Sequence, residues 1–156
     1  MGWFDKLRGM MMPVSEGGSL AGRTVLVADA SVAIQKVASL TLGEQGCNVL
    51  VVGDGDAAVA ELGGRHVDVV VAATALPRRT GYDLCDWLKS RPESSRSRVI
   101  LLKQLGERLD ERRRATGGWD DVLDKPFLPP QLVTVVSGLV TEATSLGEPR
   151  RGPTRG

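Results

Sequence analysis

VVVAATALPRRTGYDLC, residues 69–85, decides the fold. Its first five residues are a short, unbroken apolar run, the pattern of a strand buried on both faces. The run gives way to a polar loop around Pro77, and Gly81-Tyr82 then leads into a helix over 82–90 that Pro92 closes. A buried strand followed by a loop and a helix is half of a parallel crossover. In open sheets of that kind ligands bind in the loops at the carboxyl ends of the strands. Here that end reads Ala72, Ala73, Thr74, Ala75, with no acid and no nucleophile stronger than a threonine hydroxyl.

Working outward, the same alternation repeats. TVLVA (24–28) is a β-branched strand, and Ser31 can cap a helix to about Glu44 whose inner face carries Ile34, Val37, Ala38 and Leu42. Gly46 stops that helix before the strand NVLVV (48–52). GDGD (53–56) is a turn into a short helix over 57–62, and VDVVVAA (67–73) contains the strand already read. RVILL (98–102) is the fourth strand, 107–115 a charged helix, and DVLDK (121–125) the fifth strand. Pro129-Pro130 opens a last helix to about Ala143, as proline is tolerated in a first turn. The pattern is (βα)5, an α/β, doubly wound, five-stranded parallel sheet of flavodoxin-like type over residues 24–143.

Outside it, residues 1–12 (MGWFDKLRGMMM) place Trp3, Phe4, Leu7, Met10 and Met11 on one helical face, as a short amphipathic helix, with a disordered leader the other reading. Residues 13–23 read as a flexible linker and 144–156 as a disordered tail. The chain has 156 residues, 42% apolar and 25% charged, with a net charge of +1 that gives no global pull toward nucleic acid or anionic membrane. No apolar run approaches the ~18 residues of a membrane span, and no signal-peptide pattern is present, so a cytoplasmic protein is expected. Cys47 and Cys85 lack metal-ligand spacing and read as reduced, packed thiols.

Three landmarks then coincide: Asp29 closes strand one in VLVADAS, LPRRTGY follows strand three, and Lys125-Pro126-Phe127 closes strand five. Together they resemble the receiver domain of bacterial response regulators, the CheY-like family, over about three quarters of the chain; SVAIQKV resembles one sub-branch. The resemblance implies two adjacent acids after strand one and an aspartate after strand three that hold Mg²⁺, the last taking a phosphoryl group. It also implies a Ser/Thr at the end of strand four, a lysine before proline, and an aromatic on strand five that turns inward. The corresponding positions here are Asp29, Ala30, Ala73, Lys103, Lys125 and Val122.

The chemistry of these exchanges is decisive for expectation. Aspartyl phosphate needs a carboxylate nucleophile, which Ala73 lacks, and Thr74 points to the other face of the strand. Magnesium asks for hard oxygen ligands, usually including carboxylates. One acid, Asp29, would face Lys103 and Lys125. Each unit of charge at a few ångströms is worth roughly 4 kcal/mol at an intermediate dielectric. The sequence therefore predicts a degenerate pseudo-receiver with no enzymatic activity, no cofactor and no bound metal. Two arrangements stay open at the old metal site: a direct Asp29–Lys125 ion pair with Lys103 swinging toward solvent, or both lysines simply solvated.

The resemblance implies a protein-interaction or adaptor role in bacterial signal transduction, in a polarity or motility setting, by a domain without an output domain. Two other readings remain open: a small-molecule sensor with a pocket at Ala72, Ala73 and Ala75, and a regulator phosphorylated at an unusual residue. The candidate partner surface is Arg112, Arg113, Arg114 and Trp119. In the family it falls on the face of helix 107–115, strand 121–125 and the last helix, which also serves for homodimers. Trp and Arg suit interfaces, although Trp119 can equally be a packed filler, and Glu107–Glu111 and Asp110–Arg114 are spaced four apart on a helix. Trp3, Phe4 and Leu7 are candidates for N-terminal docking on a protein, on the domain itself or weakly on a membrane surface. Nucleic acid is not expected. GDGDAAV lacks the residues of a phosphate loop or calcium loop, and His66 has no second ligand beside it.

Overall fold

The computed structural model describes residues 20–115 and 118–147. Five strands alternate with helices: β1 (Thr24–Ala28), α1 (Val32–Glu44), β2 (Asn48–Val52), α2 (Gly55–Leu62), β3 (Val69–Ala73), α3 (Gly81–Ser90), β4 (Arg98–Gln104), β5 (Asp121–Lys125) and α4 (Pro129–Gly147). The sheet is parallel throughout, in the order β2-β1-β3-β4-β5. The strand order reverses beside β1 and β3, the arrangement that opens a crevice at their carboxyl ends.

Central β3 is buried at all five positions, which is why VVVAA shows no apolar-polar alternation. Two cores flank the sheet. Val25, Val27, Val69 and Val71 meet Leu42 of α1 and Leu132 and Val136 of α4 on one side. Leu26, Val70, Val99 and Leu101 meet Ala58 of α2 and Leu84 and Leu88 of α3 on the other.

The helix starts follow local chemistry. Ser31 Oγ accepts from Ile34 N and Asp54 Oδ1 from Ala57 N, so the GDGD turn is a helix cap. Thr80 and Asp83 form a reciprocal capping box at α3. Gln131 Oε1 accepts from Leu128 N at 2.7 Å, in the same way, where α4 begins.

Three boundaries differ from the sequence reading. Residues 20–23 form a turn, not a free linker: Leu20 is buried in the first core and Gly22 N donates to Gly46 O. The last helix runs to Gly147, past the expected start of the tail. The third concerns the charged helix expected over 107–115, which is only a five-residue 3-10 turn, Glu111–Ala115. Its expected first turn is drawn away by other partners. The Glu107 carboxylate bonds Thr74 Oγ1 and Gln104 N, and Asp110 N donates to the Tyr82 hydroxyl. Residues 1–12, 13–19 and the tail from 148 lie outside the described residues.

Both cysteines are free thiols. Burial raises each to about 11, with Asp68 adding to the effect at Cys47. His66 is exposed beside Asp68. Among the described residues no helix is long and apolar enough to cross a membrane.

Candidate functional site

The carboxyl ends of β1, β3 and β5 bring Asp29, Ala73 and Lys125 together. Asp29 is 2% exposed, and Lys125 Nζ lies 2.8 Å from its Oδ2. The other carboxylate oxygen accepts from Ser31 N at 2.8 Å, and the Asp29 carbonyl accepts from Gln35 Nε2 at 2.6 Å. Two strands, β3 and β4, lie between β1 and β5, so the pair links the carboxyl ends of strands on either side of the sheet's centre. The acid is thus neutralised and hydrogen-bonded on both oxygens, the condition under which a buried carboxylate is tolerated.

Lys103 does not face Asp29, and it does not turn out to solvent as the sequence suggested. Its ammonium pairs with Asp124 of β5, and the side chain is largely buried. Lys103 and Asp124 are register partners on adjacent strands, so their side chains emerge side by side. The surplus positive charge expected around Asp29 is therefore absent. Glu107 is a second carboxylate at this end of the sheet that the sequence reading placed on a solvated helix instead. Its Oε1 accepts from the buried Thr74 hydroxyl at 3.1 Å and from Gln104 N at 2.9 Å. Thr74 is thereby held toward the loop after β4, away from Ala73.

The apolar floor is closed. Ala72 is fully buried and Ala73 is 4% exposed, while Ala75 is exposed on the loop. Gly81, the first residue of α3, packs against β3 so closely that an added Cβ would stand 2.5 Å from the Ala73 carbonyl oxygen. The expected apolar pocket over Ala72, Ala73 and Ala75 has no room to form there. Gly81→Ala must push α3 off β3 and is expected to cost about 2–3 kcal/mol. A urea melt checks this; a variant with an unchanged midpoint would show that α3 shifts freely.

The residues present do not fit a magnesium ion. One Asp29 oxygen is taken by an ammonium and the other by a backbone N–H, while Ala30 and Ala73 offer no oxygen from their side chains. Among the described residues no group of three or more His, Cys, Asp or Glu side chains is arranged to hold a metal.

The proposed partner surface is reorganised as well. Trp119 is 3% exposed, packed edge-on to Tyr82 with ring centroids 5.6 Å apart and with the Arg114 guanidinium over its ring. It is core, not an exposed anchor. Arg113 bonds both Asp83 and Asp86 of α3, at 3.0 and 2.8 Å, and lies over Tyr82. Burial alone would raise the Asp83 carboxyl, but the Arg113 guanidinium and the Thr80 cap hold it below its ordinary value. Asp110 pairs with Arg112, not with Arg114 as a helix would place it. Of the four residues, Arg112 is the one whose side chain is almost wholly exposed. Val122 sits half-buried against the second core, at the position of the family's aromatic.

The chain matches the family model of the response regulator receiver domain over residues 25–137. It belongs to that family. Among curated proteins it is similar to Protein PilG of Pseudomonas aeruginosa, 28% identical over 79% of this chain and 91% of that one. It is also similar to the phosphate regulon transcriptional regulatory protein PhoB of Rhizobium meliloti, 30% identical over 76% of this chain. The chain spans about half the length of PhoB and of the other transcriptional regulators it matches. Among solved structures, the signal receiver domain of a histidine kinase from Syntrophus aciditrophicus superposes with a TM-score of 0.71. That match has 27% identity and covers 85% of this chain and 98% of that one.

Proposed function

We propose that this receiver domain takes no phosphoryl group and acts in bacterial two-component signalling as a non-enzymatic adaptor. It binds protein partners in the cytoplasm, in a setting of polarity or motility regulation. The observation that carries the reading is Ala73 at the phosphoacceptor position, together with a Lys125–Asp29 pair at 2.8 Å. With no carboxylate oxygen at that position, no aspartyl phosphate can form there. Thr74 supplies no substitute, because its hydroxyl is buried and donates to Glu107. Lys125, which the resemblance assigns to phosphoryl contact, is engaged internally.

The test is incubation with acetyl phosphate, or with an active histidine kinase, in the presence of Mg²⁺. Intact-mass measurement is expected to show no phosphoryl adduct, and added beryllofluoride is expected to leave the backbone amide spectrum unchanged. A stable adduct mapped to any residue of the site overturns the proposal.

A further inference from the structure

A groove runs along the outer side of α1 where it overhangs the edge strand β2, lined by Val32, Gln35, Lys36, Ser39, Leu40 and Val51. Its volume is about 380 Å³. Val32 is 71% exposed, Leu40 47% and Val51 39%, an apolar strip at an edge of the sheet with nothing described over it. Such a strip on a protein surface marks an interaction site.

The chain enters the described fold at one end of this groove. Leu20 is buried beneath the turn between α1 and β2: Gly22 N donates to Gly46 O, and Cys47 Sγ lies 3.6 Å from Leu20 O. Residues 13–19 reach at most about 25 Å when extended, whereas Val32 and Leu40 lie about 12 Å apart along α1. The preceding residues 1–12 carry Trp3, Phe4, Leu7, Met10 and Met11, an apolar set matched to an apolar groove. Asp5, Lys6 and Arg8 fall off that apolar face, so the match to the groove rests on apolar contact. A tether this short holds the segment at millimolar effective concentration beside the groove, well above what a free partner reaches.

We infer that residues 1–12 of this chain dock in the α1–β2 groove, with Trp3 and Phe4 against Leu40 and Val51. The docked segment touches the shell of the Asp29 site. Gln35 lines the groove and hydrogen-bonds the Asp29 carbonyl, and Val32 follows the Ser31 whose N–H bonds the Asp29 carboxylate. Displacing the segment would therefore present the α1 surface to a partner. This inference does not depend on whether the site accepts phosphate.

The experiment uses the full chain with a nitroxide attached at Gly43→Cys. That position is one turn beyond Leu40 on the same face of α1, and an added Cβ there meets nothing within 4 Å. The native thiols, raised to about 11 by burial, react slowly at neutral pH. In an isotope-enriched sample the nitroxide is expected to erase most of the Trp3 indole signal. Trp87 and Trp119, packed on the other side of the sheet, serve as references. Phe4→Ser with Leu7→Ser is expected to restore the Trp3 signal, as is Leu40→Glu with Val51→Glu. An undiminished Trp3 signal in the labelled parent overturns the inference, and so does broadening that survives both double variants. Equally strong broadening when spin-labelled chains without isotope are mixed with unlabelled enriched chains assigns the groove to a second copy and overturns it as well.

Discussion

Trp119→Ala is expected to lower the stability of the domain by about 3–5 kcal/mol, the range for removing a large aromatic from a core. The indole is buried in the second core, edge-on to Tyr82, in the cluster that also holds Leu84, Cys85 and Leu88, so its removal leaves a cavity that rigid neighbours on a sheet and a helix cannot fill. Tyr82 would also lose its ring partner and Arg114 the face it covers. Trp119→Phe keeps much of the volume and is expected to cost well under half as much. Urea unfolding followed by far-UV circular dichroism measures both. A Trp119→Ala variant with the parent's midpoint would mean that the ring contributes surface and not core.

The second large effect belongs to the buried ion pair. Asp29→Ala leaves Lys125, whose side chain is 13% exposed, without its counter-charge, and is expected to cost about 2–4 kcal/mol. Lys125→Met leaves Asp29 with one remaining donor, Ser31 N, and is expected to cost a similar amount. The double variant removes both charges together and is expected to recover much of the loss, giving a coupling of more than about 1 kcal/mol in a double-mutant cycle. Additive losses would show that the two groups do not depend on each other. If both single variants melt with the parent, the pair is solvated and holds nothing.

The fold could be read from the chain because each strand announces itself locally. VVVAA, TVLVA and RVILL are too short and too β-branched for anything else, and Ser31, Asp54 and Thr80 supply the caps between them. The Asp29–Lys125 pair was legible for a different reason. Both residues sit at strand ends whose position the topology dictates. What escaped the sequence depended on pairings that no local pattern encodes. Lys103 finds Asp124 because β4 and β5 run in register, and the register is known only once the sheet is built. Residues 107–115 have helical charge spacing, yet Thr74 and Asp83 take the Glu107 and Arg113 side chains from elsewhere in the fold, and the Tyr82 hydroxyl takes the Asp110 backbone N–H. For Trp119 the sequence leaves filler and anchor equally open, because a large residue in a turn can be either; the structure makes it filler. Its burial comes from Tyr82 of α3 and from Arg114 over its ring, contacts between segments distant in sequence or outside any regular element. Asp120, which binds Lys89, Arg98 and the Val99 N–H at once, gave no signal in the sequence beyond its charge.

The absence of the helix expected over 107–115 has a consequence for how the segment between β4 and β5 can change over time. A helix tolerates substitution wherever its own backbone bonds survive, so many sequences satisfy it. A 3-10 turn of five residues has few bonds of its own; the stretch is stitched to α3 by Arg113 on Asp83 and Asp86 and by Asp110 N on the Tyr82 hydroxyl, and to the approach to β5 by Arg114 over Trp119. Drift in this stretch is therefore constrained by residues far away in sequence. Tyr82, Asp83 and Arg113 can vary only in concert, whereas Arg108 and Arg112, exposed and outside the stitching, are free to diverge between lineages and so to tune which surfaces the domain meets.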